Sequence, residues 1–236
     1  MHGGRDRWSE LLDADAAVPV AFPYFVTADV ARAIDTPQRW LRLAAEDGLV
    51  VTIARGKHIA VPRHAAWGWL PDPVEAAWLA AAARFGRALP HVSALSAAYL
   101  HRVVPSLDGQ VHVTVPSQTR DLAFPVLGAT VRFHQRDPDE CRRTVPWRFP
   151  FASEGGLGID TIAGELCELR VTSPAQTVLD LLHSPTRAGD RGLALRAASR
   201  LVPGVDPREL RALAWRQRRL DAVERAGGFR EPRRRP

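Results

Sequence analysis

The chain has few of the residues that hold a fold together covalently or through a metal ion. Two cysteines occur in 236 residues, Cys141 and Cys167, and they give neither a disulfide framework nor the paired spacing of a zinc site. No apolar run approaches the length of a membrane span, and the N-terminal residues lack the apolar core of a signal peptide. We therefore expect a cytoplasmic protein with reduced thiols and no membrane partner.

Sequence signatures of catalysis are also missing. The chain contains no GxSxG, GxGxxG or P-loop motif, and its 8 histidines are scattered without the HxH or HExxH spacing of metal sites. We therefore expect no cofactor, no bound metal and no enzymatic activity. A nuclease stays open as an alternative, because Asp160, Glu165 and Glu168 loosely resemble a Mg²⁺ site, although the single lysine, Lys57, is remote from them in the sequence.

The net charge of +6 is unevenly distributed along the chain. Residues 1–70 hold 8 Lys/Arg and 8 Asp/Glu, residues 71–186 hold 10 and 12, and residues 187–236 hold 14 and 6. A basic chain favours polyanionic partners such as nucleic acid without identifying one. The C-terminal excess fits either non-specific contacts to phosphates or a solvated arginine face that meets an acidic partner. In that segment AWRQRRL predicts an outward orientation for Arg216, Arg218 and Arg219.

Residues 1–70 predict a winged helix-turn-helix domain. A first helix is expected over residues 5–16 and a second after Thr27, which is a good N-cap. The segment TPQRWLRLAAEDG predicts the third helix, with Pro37 at its first position and Gly48 just past its end. Two β-prone runs follow, LVVTIA and HIAVP, and the ArgGlyLys between them predicts a hairpin.

The third predicted helix has one apolar and one polar side. Leu41, Ala44 and Ala45 form the apolar stripe, and Trp40 beside them is expected to pack at the edge of the core. In a domain of this type the N-terminal residues of this helix enter the major groove, where Arg pairs with guanine and Gln with adenine. Basic residues at the hairpin tip reach phosphates or a minor groove. The predicted DNA-binding residues are Thr36, Gln38, Arg39, Arg42, Arg55 and Lys57.

Residues 71–186 predict a mixed α/β domain and residues 187–236 a basic helical segment, so the fold class as a whole is α+β. The Pro-, Gly- and Arg-rich residues 138–160 predict a long surface loop. A capping box at residues 206–209 predicts a C-terminal helix that ends at the glycine pair 227–228. The buried stripe of that helix is expected to be Leu210, Leu213, Leu220 and Val223. Helices are also expected over 71–86 and after the caps Ser93 and Ser173, and strands over 111–116, 129–135 and 165–172.

The order of these segments resembles the AbiEi family, which are antitoxins and transcriptional regulators of bacterial type IV toxin–antitoxin systems. The resemblance covers most of residues 25–185 and rests on the ArgGly hairpin, then HVSALSAAYLHRVVP, VHVTVP and ELRVTSPAQTVLDLL. The sequence departs from the usual pattern where His58 and Ile59 follow the hairpin turn in place of a bulky aromatic residue. The matching residues are the six named above with Gly56, and in the middle domain His91, Ser93, Leu95, His101, Thr114, Pro116, Thr172, Ser173, Pro174, Thr177 and Asp180.

The resemblance implies a repressor that binds inverted repeats in the double-stranded DNA of its own promoter. It also implies that the C-terminal region counteracts a nucleotidyltransferase-like toxin, often without stable direct contact. Most of the middle-domain matches are interpreted as caps, turn residues and strand ends. An alternative from a different class is a non-catalytic protein-binding module, in which residues 71–236 neutralise a partner and the polar face of the third helix is only solvated.

Overall fold

The computed structural model describes residues 23–142 and 156–230, with the side chains of the last helix described through residue 227. This part of the chain has a mixed α/β architecture with nine α-helices and two β-sheets. Among the described residues, no helix is both long enough and apolar enough to cross a membrane. The helix predicted over residues 5–16 lies outside the described residues.

A three-stranded sheet and two helices form the N-terminal part of the structure. The elements in chain order are β1 (Tyr24–Val26), α1 (Thr27–Ala31), α2 (Pro37–Glu46), β2 (Val50–Ala54) and β3 (Lys57–Ala60). The strand order is β1-β3-β2, and both pairs are antiparallel. The predicted hairpin is therefore confirmed, although Lys57 already belongs to β3 and only Arg55 and Gly56 form the turn.

The sequence at the ends of α2 and of the hairpin explains where these elements begin and end. Pro37 occupies the first position of α2, where its missing N–H costs no hydrogen bond, and Thr36 is the N-cap as predicted. Gly48, just after the helix, and Gly56, in the hairpin turn, both have a φ of 69°. A residue with a side chain adopts this conformation only with strain, so glycine fits both turns.

Two predictions for these helices need correction. Thr27 is the first residue of α1 rather than its N-cap, because the extended backbone of β1 continues through Val26, whose N–H donates to Asp29 Oδ2 at 2.9 Å. Ala45 is exposed, because it follows the buried Ala44 by one residue and so is rotated to the solvent side of α2. Trp40 takes its place in the buried stripe, which confirms that this side chain packs in the core.

The larger sheet has six strands and is mixed. Its strands are β4 (His91–Val92), β5 (Gln110–Val115), β6 (Leu122–Phe124), β7 (Ala129–Gln135), β8 (Ile159–Ala163) and β9 (Glu168–Thr172). The order is β6-β7-β5-β4-β9-β8, with parallel pairing of β5 to β7 and of β4 to β9 and antiparallel pairing elsewhere. Strands β5, β7 and β9 confirm three predicted strands, whereas β4, β6 and β8 were not predicted as strands.

The two sides of β5 differ in polarity. Its three valines belong to an apolar core that includes α3 (Pro73–Phe85) and, from the small sheet, Ile53 and Ile59. The small N-terminal sheet therefore packs on the same core as the larger one. The alternate residues His112 and Thr114 are buried as well, which gives this strand a polar inner side.

Helices form a second core on the polar side of the larger sheet. The remaining helices are α4 (Ala94–Leu100), α5 (Pro138–Arg142), α6 (Pro174–His183), α7 (Arg191–Leu201), α8 (Pro207–Arg216) and α9 (Leu220–Arg230). All of these except α5 contribute buried apolar residues to this core. Thr114 of β5 donates to Ser93 at 2.9 Å, and the hydroxyls of Thr172 in β9 and Thr177 in α6 are 2.7 Å apart, so α4 and α6 lie against this side.

Three predictions for the C-terminal half are wrong in detail. Residues 138–160 do not form one loop, since α5 lies at the start of this range, β8 begins at Ile159, and Leu157 is fully buried. The single helix predicted here is interrupted by a turn at residues 217–219, and a new helix begins at Leu220. The apolar stripe of α8 does not continue across this turn, so Leu220 is 46% exposed instead of buried. Helix α9 then runs through the glycine pair at 227–228 rather than ending there.

Candidate nucleic-acid interface and a polar cavity

One side of α2 is held by the core and the other is free to meet a partner. Trp40 and Leu41 are buried in a small apolar cluster with residues of β1, α1 and β2. Gln38, Arg39 and Arg42 project from the other side and are exposed. The helix thus presents a polar face to solvent, while packing of its buried side against the core fixes its position.

The hairpin tip carries the second group of predicted DNA-binding residues. Arg55 is exposed in the turn, and Lys57 is half-buried at the start of β3. The Thr27 N–H donates to the Gly56 carbonyl at 3.2 Å, which ties the tip to the start of α1. Thr36, at the N-terminus of α2, is exposed like the arginines. All six predicted residues are therefore at least partly accessible to solvent.

His58 connects the hairpin to α1. Its side chain is buried, with Nε2 3.0 Å from Thr27 Oγ1 and Nδ1 3.0 Å from Thr52 Oγ1, and it stacks on Phe25 with ring centroids 5.4 Å apart. Burial, helped by the charge of Lys57, lowers the pKa of His58 to about 4. The imidazole is therefore neutral at neutral pH and supplies one donor and one acceptor. At the sequence level this residue stood out only as a departure from the family pattern.

The charge of the exposed helix face is only weakly neutralised. Arg42 lies 3.8 Å from Glu46, and both side chains are more than half exposed. An exposed pair of this kind contributes about 0–1 kcal/mol, so a phosphate or a base edge can replace Glu46 without a large penalty. Arg39 and Arg55 form no ion pair among the described residues.

The carboxylates named for the nuclease alternative do not converge on a common point. Glu165 accepts a hydrogen bond from Trp69 Nε1 at 2.8 Å, and Asp160 and Glu168 lie on neighbouring strands without being paired with each other. Arg170 donates to the carbonyls of Ala88 and Cys141 rather than pairing with Glu168. Within residues 23–142 and 156–230, no group of three metal-binding side chains is placed to hold an ion.

A polar cavity that no sequence prediction located lies at the ends of β5 and β7. Its volume is about 40 Å³. Thr114 and His134 are register partners in the two parallel strands and line it together. The other lining residues come from the end of β7, from α4 and α6 with their flanking turns, and from the turn between α8 and α9: Ser93, Ala94, Gln135, Arg136, Asp180, Leu181, Ser184, Arg187 and Arg219.

Asp180 is the centre of the hydrogen-bond network in this cavity. Its Oδ1 accepts from Arg136 Nη2 at 2.6 Å, from Arg219 Nη1 at 2.7 Å and from Gln176 Nε2 at 3.0 Å. Although burial opposes the charge, the two arginines keep the pKa of Asp180 below its usual range. Arg219 was predicted to point outward. It is instead mostly buried, because its guanidinium group pairs with the buried carboxylate of Asp180. Arg218, in contrast, is exposed as predicted.

The backbone around Ser93 is unusual. Ala94, the first residue of α4, has a φ of 50°, a left-handed conformation that non-glycine residues adopt only at some cost. Ser93 is the N-cap as predicted, but its side chain makes no capping hydrogen bond and accepts from Thr114 instead. Backbone conformations of this kind are concentrated at binding and active sites, so the one at Ala94 is consistent with a binding site in the cavity.

Comparison with known proteins supports the fold and leaves the function open. Neither a protein family nor a curated protein matches this sequence. A solved structure is similar, that of the RV2827C protein from Mycobacterium tuberculosis, with a TM-score of 0.53 and 15% sequence identity over 94% of this chain and 79% of that one. At this level of identity the similarity shows a shared fold alone.

Proposed function

We propose that this protein is a sequence-specific DNA-binding transcriptional repressor with an N-terminal winged helix-turn-helix. The observation that carries the proposal is the exposed face of α2, where Gln38, Arg39 and Arg42 stand next to one another on a helix fixed by its buried side. Arg and Gln are the side chains that pair with guanine and adenine in the major groove. The helix is thus equipped to read base edges.

The order of the N-terminal elements supports the same function. Helices α1 and α2 are joined by residues 32–36, and the β2–β3 hairpin follows α2 after three residues. Such an arrangement offers one helix to the major groove and a hairpin tip to the neighbouring backbone or minor groove. Arg55 and Lys57 at the tip supply the positive charge that phosphates attract.

The AbiEi resemblance extends the proposal to an operon. In this account the target is double-stranded DNA with inverted repeats in the protein's own promoter. The larger sheet and its helices then serve the antitoxin role and counteract a nucleotidyltransferase-like toxin. The protein acts in the cytoplasm, where both its promoter and such a toxin are found, and it needs neither a cofactor nor catalysis.

A competition gel shift with the DNA upstream of the protein's own gene tests this function. We expect a shift that persists in an excess of unrelated DNA and weakens gradually as salt is raised, since base contacts survive where phosphate contacts are screened. A shift that any DNA competes away and modest salt abolishes would overturn the proposal. The non-catalytic protein-binding module would then be the better description of the chain.

A further inference from the structure

The polar cavity lies where open sheets bind ligands. Thr114 and His134 are close to the carboxyl ends of the parallel strands β5 and β7, and Arg136 follows β7 directly. The Arg136 N–H donates to the Val115 carbonyl at 3.0 Å, so its backbone is fixed to the strand end. Ligands of open α/β sheets bind in the crevice beyond the carboxyl ends of the strands.

The charges that line the cavity do not balance. Three arginines, Arg136, Arg187 and Arg219, face one carboxylate, Asp180, which leaves a formal charge of +2. Burial and then the positive charge of Arg187 lower the pKa of His134, so this imidazole is neutral at neutral pH and adds no charge. A cavity with excess positive charge attracts an anion.

Hydrogen-bond donors remain available inside the cavity. A guanidinium group has five N–H donors, and Arg219 uses one of them on Asp180. The side chain of Arg187 makes no hydrogen bond or ion pair with any described residue, and only its backbone N–H donates, to the Ser184 carbonyl at 3.0 Å. Ser93 accepts the hydroxyl hydrogen of Thr114, which leaves its own O–H to be donated elsewhere. The cavity thus offers donors of several kinds and a single acidic acceptor.

We propose that this cavity binds a phosphoryl group, either as inorganic phosphate or as the phosphate of a monoester. Arg187 at the rim and Arg219 inside hold the oxygens by charge-assisted hydrogen bonds, and Ser93 donates a further one. Arginine forks match the geometry of phosphate oxygens in pairs. The left-handed backbone of Ala94 fits this role, because it sets the direction in which the chain leaves Ser93 at the wall of the cavity.

The size of the cavity limits the ligand. A volume of about 40 Å³ has room for about three water molecules. A phosphoryl group fits this space when one of its oxygens stays at the open side. The rest of a monoester would lie outside the cavity.

Titration calorimetry with inorganic phosphate tests the site, with ionic strength kept constant by chloride. The informative variant is Arg187→Ala, since Arg187 is exposed and its side chain makes no hydrogen bond or ion pair with a described residue. The matched control is Arg211→Ala, which removes an exposed arginine from α8, away from the cavity lining. We expect saturable binding to the unaltered protein, at least about tenfold weaker binding to Arg187→Ala, and unchanged binding to Arg211→Ala.

A second titrant separates the two sources of the phosphoryl group. Adenosine 5′-monophosphate that binds more tightly than inorganic phosphate, with the same dependence on Arg187, would assign the site to a monoester. Binding of inorganic phosphate alone would assign it to the free ion. The absence of saturable binding by either compound, or an equal loss in both arginine variants, would overturn the proposal. The cavity lining contains none of the six predicted DNA-binding residues, so Arg39→Ala with Arg42→Ala should leave these titrations unchanged.

Discussion

Thr27 Oγ1 lies 3.0 Å from His58 Nε2, and this contact joins α1 to the hairpin across 31 residues of sequence. The Thr27 N–H also holds the Gly56 carbonyl in the hairpin turn. One residue of α1 therefore restrains both the turn and the first part of β3. The orientation of the basic hairpin tip relative to the helices depends on Thr27, which itself makes no predicted contact with DNA.

Replacing Thr27 tests this restraint. Thr27→Val keeps the shape of the side chain but removes the hydroxyl, so it should lower the free energy of unfolding by about 1 kcal/mol, measured by urea denaturation. Its affinity for the upstream DNA should also fall, because the tip is less well held. Thr27→Ser retains the hydroxyl and should behave like the unaltered protein in both measurements. A Thr27→Val variant with unchanged stability would contradict the assigned role.

The stability of the fold should depend on pH through its buried histidines. The pKa of His58 is lowered to about 4 by burial and then by Lys57, and burial lowers the pKa of His91 and His112 to about 3. Between the ordinary pKa of about 6.5 and these values, the unfolded chain binds protons that the folded chain does not. Stability is therefore complete above about pH 6.5 and falls as the pH is lowered. Urea midpoints at about pH 7.5 and about pH 5 should show this decrease.

A histidine variant checks the source of that dependence. His58→Gln cannot be protonated, so its stability should fall less between about pH 7.5 and about pH 5 than that of the unaltered protein, even if it is less stable throughout. Glu75 should affect the pH dependence of stability in the opposite direction, because burial raises its pKa in the folded protein. Its contribution to stability is present at low pH and is lost as the pH rises through that raised pKa. Equal pH dependence in His58→Gln and the unaltered protein would show that His58 is not the cause.

Removing the carboxylate at the centre of the cavity should destabilise the whole fold. Arg136 and Arg219 are mostly buried and share Asp180, so Asp180→Asn leaves two buried cations without a counter-charge. The loss of one partner from a buried ion pair costs about 3–5 kcal/mol. Urea denaturation of Asp180→Asn should show a loss of this size, whereas Asp190→Asn, at the exposed N-cap of α7, should cost about 1 kcal/mol or less.

The parts of the fold that were predictable from sequence carry strong local signals. The ends of α2 are set by Pro37 and Gly48, and β7 has the bounds that its alternating residues predict. The exposed arginines of α2 were also predictable, because a helix with one apolar side has only one place for them. In such segments local preference and tertiary structure agree.

The parts that were missed depend on contacts between distant residues. Strands β4 and β6 have two and three residues and are too short to show a period, so only pairing with their neighbouring strands defines them. The cavity joins Ser93, Arg136 and Asp180 from three separate segments. In the sequence Arg219 is one arginine of a basic run, which predicts a solvated side chain. In the structure it donates to the buried Asp180, 39 residues away. No local pattern contains that information.

The central claim is that α2 reads DNA sequence, and a pair of double variants tests it most directly. Arg39→Ala with Arg42→Ala removes two arginines three residues apart on the exposed face of α2. Arg208→Ala with Arg211→Ala removes two arginines with the same spacing on the exposed face of α8, so the loss of charge is equal. Neither pair is buried, so both proteins should fold as the unaltered chain does, which circular dichroism can verify.

Affinity for the upstream DNA should then be measured for both double variants at the same salt concentration. The account predicts at least about 30-fold weaker specific binding for the α2 variant, since each lost base contact is worth about 1–3 kcal/mol, and little change for the α8 variant. Specific binding that persists in the α2 variant, or an equal loss in both, would contradict the claim that α2 is the recognition helix.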